Sequence, residues 1–275
     1  MYYIITKKKI AIIFCCILLL SIFAISYTLF ATSDSWGLSF GEANTVPKGN
    51  ASKEELEKYN AYFIGDENNK ELYLTFDVGY EAGYTESILD TLKKHNIKAA
   101  FFIVGNYFDS NPDTIQRMTD EGHIVANHTL THPNMSKMST FEDFKNQIIP
   151  NEEKYNKITG KELRKYYRPP QGVYNTQNLQ DAKNLGYTTI FWSVAYVDWE
   201  QDNQPSHEKA ISTLMKRIHN GAIILLHSTS KTNMEILDDF ITKCQNLGYE
   251  FKTLDELTNV NTPSSSISSA NFSLN

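Results

Sequence analysis

Two histidines four residues apart, His128 and His132, stand in the segment Asn127-His-Thr-Leu-Thr-His-Pro133. That spacing suits two ligands of one divalent cation. Upstream, Asp77 lies in Thr75-Phe-Asp-Val-Gly79. Downstream come Arg168, opening Arg168-Pro-Pro-Gln-Gly-Val-Tyr-Asn175, then the pair Asp198-Trp199, then His227 after Leu225-Leu226. These residue types compose a hydrolytic set. A carboxylate held by an arginine stays ionised and suits a general base, and a histidine beside a carboxylate stays protonated more readily and suits a general acid. Amide hydrolysis needs an activated water, a stabilised tetrahedral oxyanion and a protonated amine leaving group. Each residue alone also has a plainer reading: Asp77 as a helix cap, Arg168 in a structural ion pair, His227 as a satisfied core histidine, the histidine pair as surface or core. No glutamate follows His128, so the zincin pattern H-E-x-x-H is absent.

The elements that must position these residues give the set its weight. Short apolar runs at Leu72–Phe76, Ala99–Val104, His123–Ala126, near Tyr166, at Thr188–Trp192 and at Ala222–Leu226 read as strands. Amphipathic stretches at Thr85–His95, Pro112–Gly122, Phe141–Thr159, His207–His219 and Met234–Leu247 read as helices. Alternating strand and helix implies a parallel sheet covered by helices, and this many units point to a closed or nearly closed barrel. Functional residues of such folds gather at the C-terminal strand ends. Asp77, His128, Arg168, Asp198 and His227 each lie just beyond an apolar run.

The 275-residue chain suits one large domain plus ends, and 41% hydrophobic and 12% aromatic content allows a sizeable core. Net charge is -6, with no basic patch beyond Lys7-Lys8-Lys9, so no nucleic-acid partner is expected. Cys15 and Cys16 fall in the N-terminal apolar run. Cys244 is then the sole thiol of the globular part, which excludes an internal disulfide there and fits a small buried hydrophobe.

Residues 1–33 pair those lysines with an apolar run from Ile10 to Ala31, the pattern of a signal peptide or membrane anchor. The basic side stays in the cytoplasm and the remainder is exported, either secreted to the wall or anchored to the membrane through this helix. Residues 34–69 read as a linker and packing extension, 70–257 as the catalytic domain, and 258–275 as a disordered Ser/Asn-rich tail.

Taken in order, Thr75–Gly79, His128–His132, Arg168–Tyr174, Asp198-Trp199 and Leu225–His227 resemble the five motifs of the polysaccharide deacetylases, carbohydrate esterase family 4, over residues 70–257. Within it, Thr75–Tyr84, Val104–Tyr107 and Trp36-Gly-Leu38 are most similar to the delta-lactam-biosynthetic branch, which deacetylates N-acetylmuramic acid of spore-cortex peptidoglycan. The resemblance implies an α/β fold, a distorted (β/α) barrel. It implies Asp77 as base, Arg168 orienting it, His227 as acid tuned by Asp198, and His128 and His132 on a divalent metal such as zinc, cobalt or manganese. It also implies the Tyr174 backbone at the oxyanion and Leu225 against the acetyl methyl. Among the aromatics near the motifs, Tyr80, Tyr84, Tyr107, Tyr174, Trp192, Tyr196 and Trp199 could stack on sugar rings. One departure stands out: the family's second aspartate, a metal ligand, is Val78 here. Weak metal binding is the expectation, with Glu81 as a possible substitute carboxylate. The implied activity is deacetylation of N-acetylmuramic acid in glycan strands. The alternatives are deacetylation of N-acetylglucosamine in peptidoglycan or chitin-like oligomers, and a non-catalytic wall-binding protein.

Overall fold

The computed structural model describes residues 34–258. The basic and apolar N-terminal segment lies outside them, as does the tail after Thr258. Strands Ala61–Tyr62 (β1), Glu71–Val78 (β2), Ala100–Ile103 (β3), Ile124–Asn127 (β4), Tyr166–Tyr167 (β5), Thr188–Ile190 (β6), Ala222–His227 (β7) and Glu250–Lys252 (β8) form one eight-stranded sheet. Its order is β7-β2-β3-β4-β5-β6-β1, with β8 beside the first half of β2. Every ladder in it is parallel. The sheet curls until the chain after β6 reaches β7 through a single bridge, Val194 to Ile224. This is the nearly closed barrel expected from the alternating pattern, in the distorted (β/α) form that the resemblance implies.

Helices Thr85–Lys94 (α1), Gly105–Ser110 (α2), Pro112–Asp120 (α3), Phe141–Thr159 (α4), Thr176–Asn184 (α5), His207–Arg217 (α6) and Lys231–Asn246 (α7) accompany it. Among the described residues, no helix is long and apolar enough to cross a membrane. The expected strands and helices are present within a few residues of their bounds. Of the elements labelled above, β1, β8, α2 and α5 were not foreseen.

Strand alternation explains how the site is built, because successive side chains point to opposite faces. Along β2, Leu72, Leu74, Phe76 and Val78 join the cluster that packs with Ile88, Leu89 and Leu92 of α1. Tyr73 belongs to the inner cluster, with Phe102, Tyr166 and Ile223. The odd-numbered positions Thr75 and Asp77 therefore share the inner face. On β7, Ile223 packs inside while Ala222, Ile224 and Leu226 pack outside, which turns Leu225 and His227 inward too. Both faces are buried, so these strands read as continuous apolar runs rather than alternating ones. Phe76 and Phe101 are fully buried and stacked at 5.1 Å; burying such a side chain stabilises the fold by about 2–3 kcal/mol.

Residues 34–69 are bound closely to the barrel. Trp36 is buried, stacks on Phe191 at 4.9 Å, and donates its indole N–H to the Trp192 carbonyl at 2.9 Å. Its backbone N–H donates to the Gly172 carbonyl at 2.8 Å, and residues 34–35 pair antiparallel with 173–174.

Candidate active site

A cavity of about 450 Å³ opens at the C-terminal ends of the strands. Its lining includes Asp77, His128, His132, Trp199, Leu225 and His227, residues spread over 150 positions of sequence. Parallel pairing brings the first and last together, since Asp77 and His227 are direct partners on β2 and β7.

Asp77 is nearly buried at 7% exposure, and Arg168 beneath it is fully buried. The Arg168 Nη1 donates to Asp77 Oδ1 at 2.8 Å. Its other donors serve Thr75 Oγ1 at 2.9 Å and the Ile190 and Phe191 carbonyls at 3.0 and 3.3 Å. The guanidinium also lies 4.1 Å from the centre of the Phe102 ring. A buried cation satisfied on every side is a rigid platform rather than a solvated surface charge. Burial by itself would raise the Asp77 carboxyl, but Arg168, His128 and His227 together outweigh it and hold the group below the ordinary carboxylate range. Asp77 is thus an ionised carboxylate aimed into a cavity, and it caps no helix.

His128 is buried, and its Nδ1 lies 2.8 Å from the Arg168 carbonyl. A carbonyl only accepts, so Nδ1 carries the proton and Nε2 keeps its lone pair. That Nε2 lies 3.4 Å from Asp77 Oδ2. Burial pushes His128 down to about 4, and lowers His132 as well, so both imidazoles are neutral near pH 7. Their rings meet edge to face at 4.9 Å. A neutral imidazole with its second nitrogen fixed by a carbonyl is how histidine ligands are oriented. The pair therefore fits a divalent cation as two of its ligands.

A third protein ligand is missing. Among the described residues, no group of three or more His, Cys, Asp or Glu side chains could hold a metal ion. Val78 is fully buried in the outer apolar cluster. Glu81, the possible substitute, is engaged elsewhere. Its Oε1 accepts from the Gly83 and Tyr84 backbone at 2.6 and 3.0 Å, and its Oε2 accepts from Tyr107 at 2.6 Å.

The loop carrying the histidines is held under strain. Thr129 and His132 have φ of 69° and 56°, in the left-handed region that side-chain-bearing residues avoid. A buried amide network fixes it. Asn127 Oδ1 accepts from the Thr129 N–H at 2.9 Å, and Asn151 Nδ2 on α4 donates to Asn127 Oδ1 and to the Thr129 carbonyl, both at 3.1 Å.

On the opposite wall, His227 Nδ1 meets Asp198 Oδ1 at 2.7 Å. Asp198 Oδ2 accepts from the His227 backbone N–H at 2.8 Å and from Asn233 Nδ2 at 2.5 Å. Burial would lower the His227 imidazole, but Asp198 and Asp77 raise it above its ordinary value. Nδ1–H donates to Asp198, which leaves Nε2 as the proton-carrying atom on the cavity side. Trp199, 52% exposed, sets its ring 5.8 Å from that imidazole.

Leu225 lines the cavity, but Tyr174 does not. The Tyr174 ring packs on Phe191 at 5.0 Å, and its backbone pairs with Asp34. Gln171 and Gly172 of the same turn line the cavity instead. Gly172 has φ of 67°, and a Cβ there would fall 2.8 Å from Trp192. Of the aromatics, Tyr80, Trp192 and Trp199 face the cavity, whereas Tyr107 and Tyr196 are buried and bonded to Glu81 and Asn233. Sequence reasoning missed Asn127, Asn151 and Asn233, whose roles rest on contacts between distant segments.

The polysaccharide deacetylase family profile matches residues 64–190. The peptidoglycan-N-acetylmuramic acid deacetylase PdaA of Bacillus subtilis is 42% identical over 224 residues, 81% of this chain and 85% of that protein. The solved structure of PdaA, a family 4 carbohydrate esterase, superposes with a TM-score of 0.79 and 41% identity, covering 83% of this chain and 97% of that one. A peptidoglycan-N-acetylglucosamine deacetylase of Bacillus cereus is 35% identical over 74% of this chain and 73% of its own. A family 4 pseudoenzyme of Bacillus anthracis superposes with a TM-score of 0.66 and 31% identity, covering 72% of this chain and 68% of its own. Strand order, strand-end residues and these likenesses agree: the chain belongs to the polysaccharide deacetylase family, carbohydrate esterase family 4.

Proposed function

We propose that this protein is an extracytoplasmic hydrolase that removes the N-acetyl group from N-acetylmuramic acid in peptidoglycan strands, opening the way to muramic delta-lactam in spore cortex. The observation that carries this is the pairing of Asp77 on Arg168 with His227 on Asp198, across one cavity and on adjacent strands. Asp77, ionised at neutral pH, takes the proton from the attacking water. His227, its Nδ1 fixed by Asp198, gives the Nε2 proton to the departing amine nitrogen. The turn from Gln171 to Tyr174 supplies candidate backbone donors for the oxyanion, and Leu225 packs the acetyl methyl. Trp199 and Tyr80 offer faces for the sugar ring.

His128 and His132 would hold a divalent cation such as zinc, cobalt or manganese, which when bound lowers the pKa of a water and polarises a carbonyl. With two recognisable protein ligands in place of three, affinity would be weak, and water, substrate or Asp77 itself would complete the shell. The N-terminal segment anchors the protein to the membrane or directs its secretion.

Two observations favour other readings. The Bacillus cereus relative is named for N-acetylglucosamine, and the buried Val78 fits a wall-binding pseudoenzyme. Product analysis separates all three. Peptide-stripped peptidoglycan is incubated with the protein, digested, and its sugars resolved by mass spectrometry. Deacetylated muramic acid or its delta-lactam supports the proposal. Glucosamine shifts the substrate, and unaltered sugars support the binding reading.

A further inference from the structure

Asn233 stands at the third position of helix α7, after the N-cap Ser230. A polar side chain there commonly turns back to cap its own helix. This one turns away. Its Nδ2 donates to Asp198 Oδ2 at 2.5 Å and to the His227 carbonyl at 3.1 Å. A carboxylate only accepts, so Asp198 fixes which end of the amide faces it. The amide oxygen is thereby turned to the other side, where the Tyr196 hydroxyl donates to it. Asn233 is fully buried and Tyr196 is 8% exposed. An amide oxygen left unpaired in such a place is costly, so one hydroxyl decides whether the arrangement holds.

The carboxylate at the end of this chain depends on it. Asp198 is fully buried, and among the described residues no lysine or arginine pairs with it. Its charge is met by the His227 imidazole, the His227 backbone N–H and Asn233. With Asn233 in place, neither carboxylate oxygen is free to rotate away from His227. The backbone on both sides is tied separately. Ser230 Oγ donates to Gln204 Oε1 at 2.6 Å, and Gln204 Nε2 donates to the Asp198 carbonyl at 2.8 Å. The Tyr196 ring belongs to the outer apolar cluster, with Ala210 and Leu214 of α6 and Leu237 of α7, and it does not line the catalytic cavity.

We infer that Tyr196 is a positioning residue for the general acid. Its hydroxyl sets the Asn233 amide, Asn233 holds the Asp198 carboxylate, and Asp198 fixes the His227 ring with Nδ1–H inward and Nε2 toward the cavity. Tyr196 therefore acts on proton transfer to the leaving amine without touching the sugar. The inference rests on the proposal above that His227 protonates that amine.

The test compares the full-length wild type with Tyr196→Phe and Asn233→Ala. Phenylalanine keeps the ring in its cluster, so Tyr196→Phe is expected to fold, and Asn233→Ala breaks the same chain one step nearer the acid. The first readout is the proton NMR resonance of His227 Nδ1–H, assigned by its absence in His227→Gln. A proton held between an imidazole and a carboxylate resonates far downfield and exchanges slowly with water. In both variants it should move upfield and exchange about tenfold faster, the scale of one lost hydrogen bond. The second readout is acetate release from peptide-stripped peptidoglycan with zinc supplied. The kcat per folded molecule should fall about tenfold in Tyr196→Phe and further in Asn233→Ala, with KM unchanged, the scale on which partners that orient a histidine from behind act. A resonance left in place by either variant would overturn the inference. So would a raised KM with kcat unchanged in Tyr196→Phe, which would make Tyr196 a sugar contact. If the wild type releases no acetate, the deacetylase proposal fails, and the resonance alone still decides whether Tyr196 positions His227.

Discussion

Arg168 and Asp77 meet at 2.8 Å, with the guanidinium fully buried and its remaining donors on Thr75 and two carbonyls. Breaking such a pair leaves an uncompensated charge in the barrel. Arg168→Met should therefore destabilise the fold by roughly 3–5 kcal/mol. Deacetylation should fall roughly 100-fold or more in the protein that remains folded. Its acid limb should move to higher pH, because the largest influence lowering the Asp77 carboxyl is gone. Urea unfolding and a pH–rate profile read both effects. An unmoved acid limb would remove Arg168 from the positioning of the base.

The His227–Asp198 pair sets the other limb. His227 is raised above its ordinary value, so it keeps its proton to higher pH than a free imidazole does and loses it as pH climbs through the raised pKa. Asp198→Asn keeps the shape and removes the raising charge. The alkaline limb of kcat/KM should then move to lower pH, with activity near pH 7 reduced. A limb that stays in place would assign the alkaline ionisation to another group.

Strain at Thr129 and His132 is held by Asn127 and Asn151. Asn151→Ala removes donors to two backbone carbonyls and should destabilise the protein by about 1–3 kcal/mol. Acetate release should fall further than the loss of folded protein explains, because the histidine loop relaxes. Thermal melting beside specific activity per folded molecule checks this. A drop in stability alone would make the network merely structural.

His123, at the opposite end of the barrel, offers a stability prediction independent of catalysis. Its Nδ1 accepts from the Ala99 N–H at 3.1 Å, its Nε2 has no hydrogen-bond partner and lies 3.8 Å from Glu121 Oε2, and burial pushes it down to about 4. The unfolded chain binds a proton there near pH 6.5 and the native one does not, so stability falls as pH drops from about 6.5 to about 4. The contribution is on the order of 3 kcal/mol. Urea unfolding at pH 7 and pH 4.5 should show a smaller loss in His123→Gln than in the wild type. Equal losses would mean that His123 is protonated in the native state.

The strands that carry Asp77, His128 and His227 were legible because burial on both faces writes them as largely apolar runs. Helix α4 was legible from its length; its Thr140–Asp143 capping box, seen in the structure, fixes its start. Helix α2 escaped because Gly105-Asn-Tyr-Phe-Asp-Ser110 is short, opens on glycine, and follows β3 after one residue. Helix α5 is mostly polar, with Leu179 and Ala182 as its buried apolar contacts. Strands β1 and β8 hold two and three residues, too few to show a period. In the site, the titrating residues stood out by type and position. The asparagines that brace them did not, since Asn151 gains its role only where α4 crosses the end of β4.

The most direct measurement is acetate released from peptide-stripped peptidoglycan by the full-length protein and by Asp77→Asn, with zinc, cobalt or manganese supplied. The wild type should release acetate, and the variant, isosteric but without the base, should release it roughly 10²–10⁴-fold more slowly. Equal release by both, or none from the wild type with any metal, would contradict Asp77 as the base of a deacetylase.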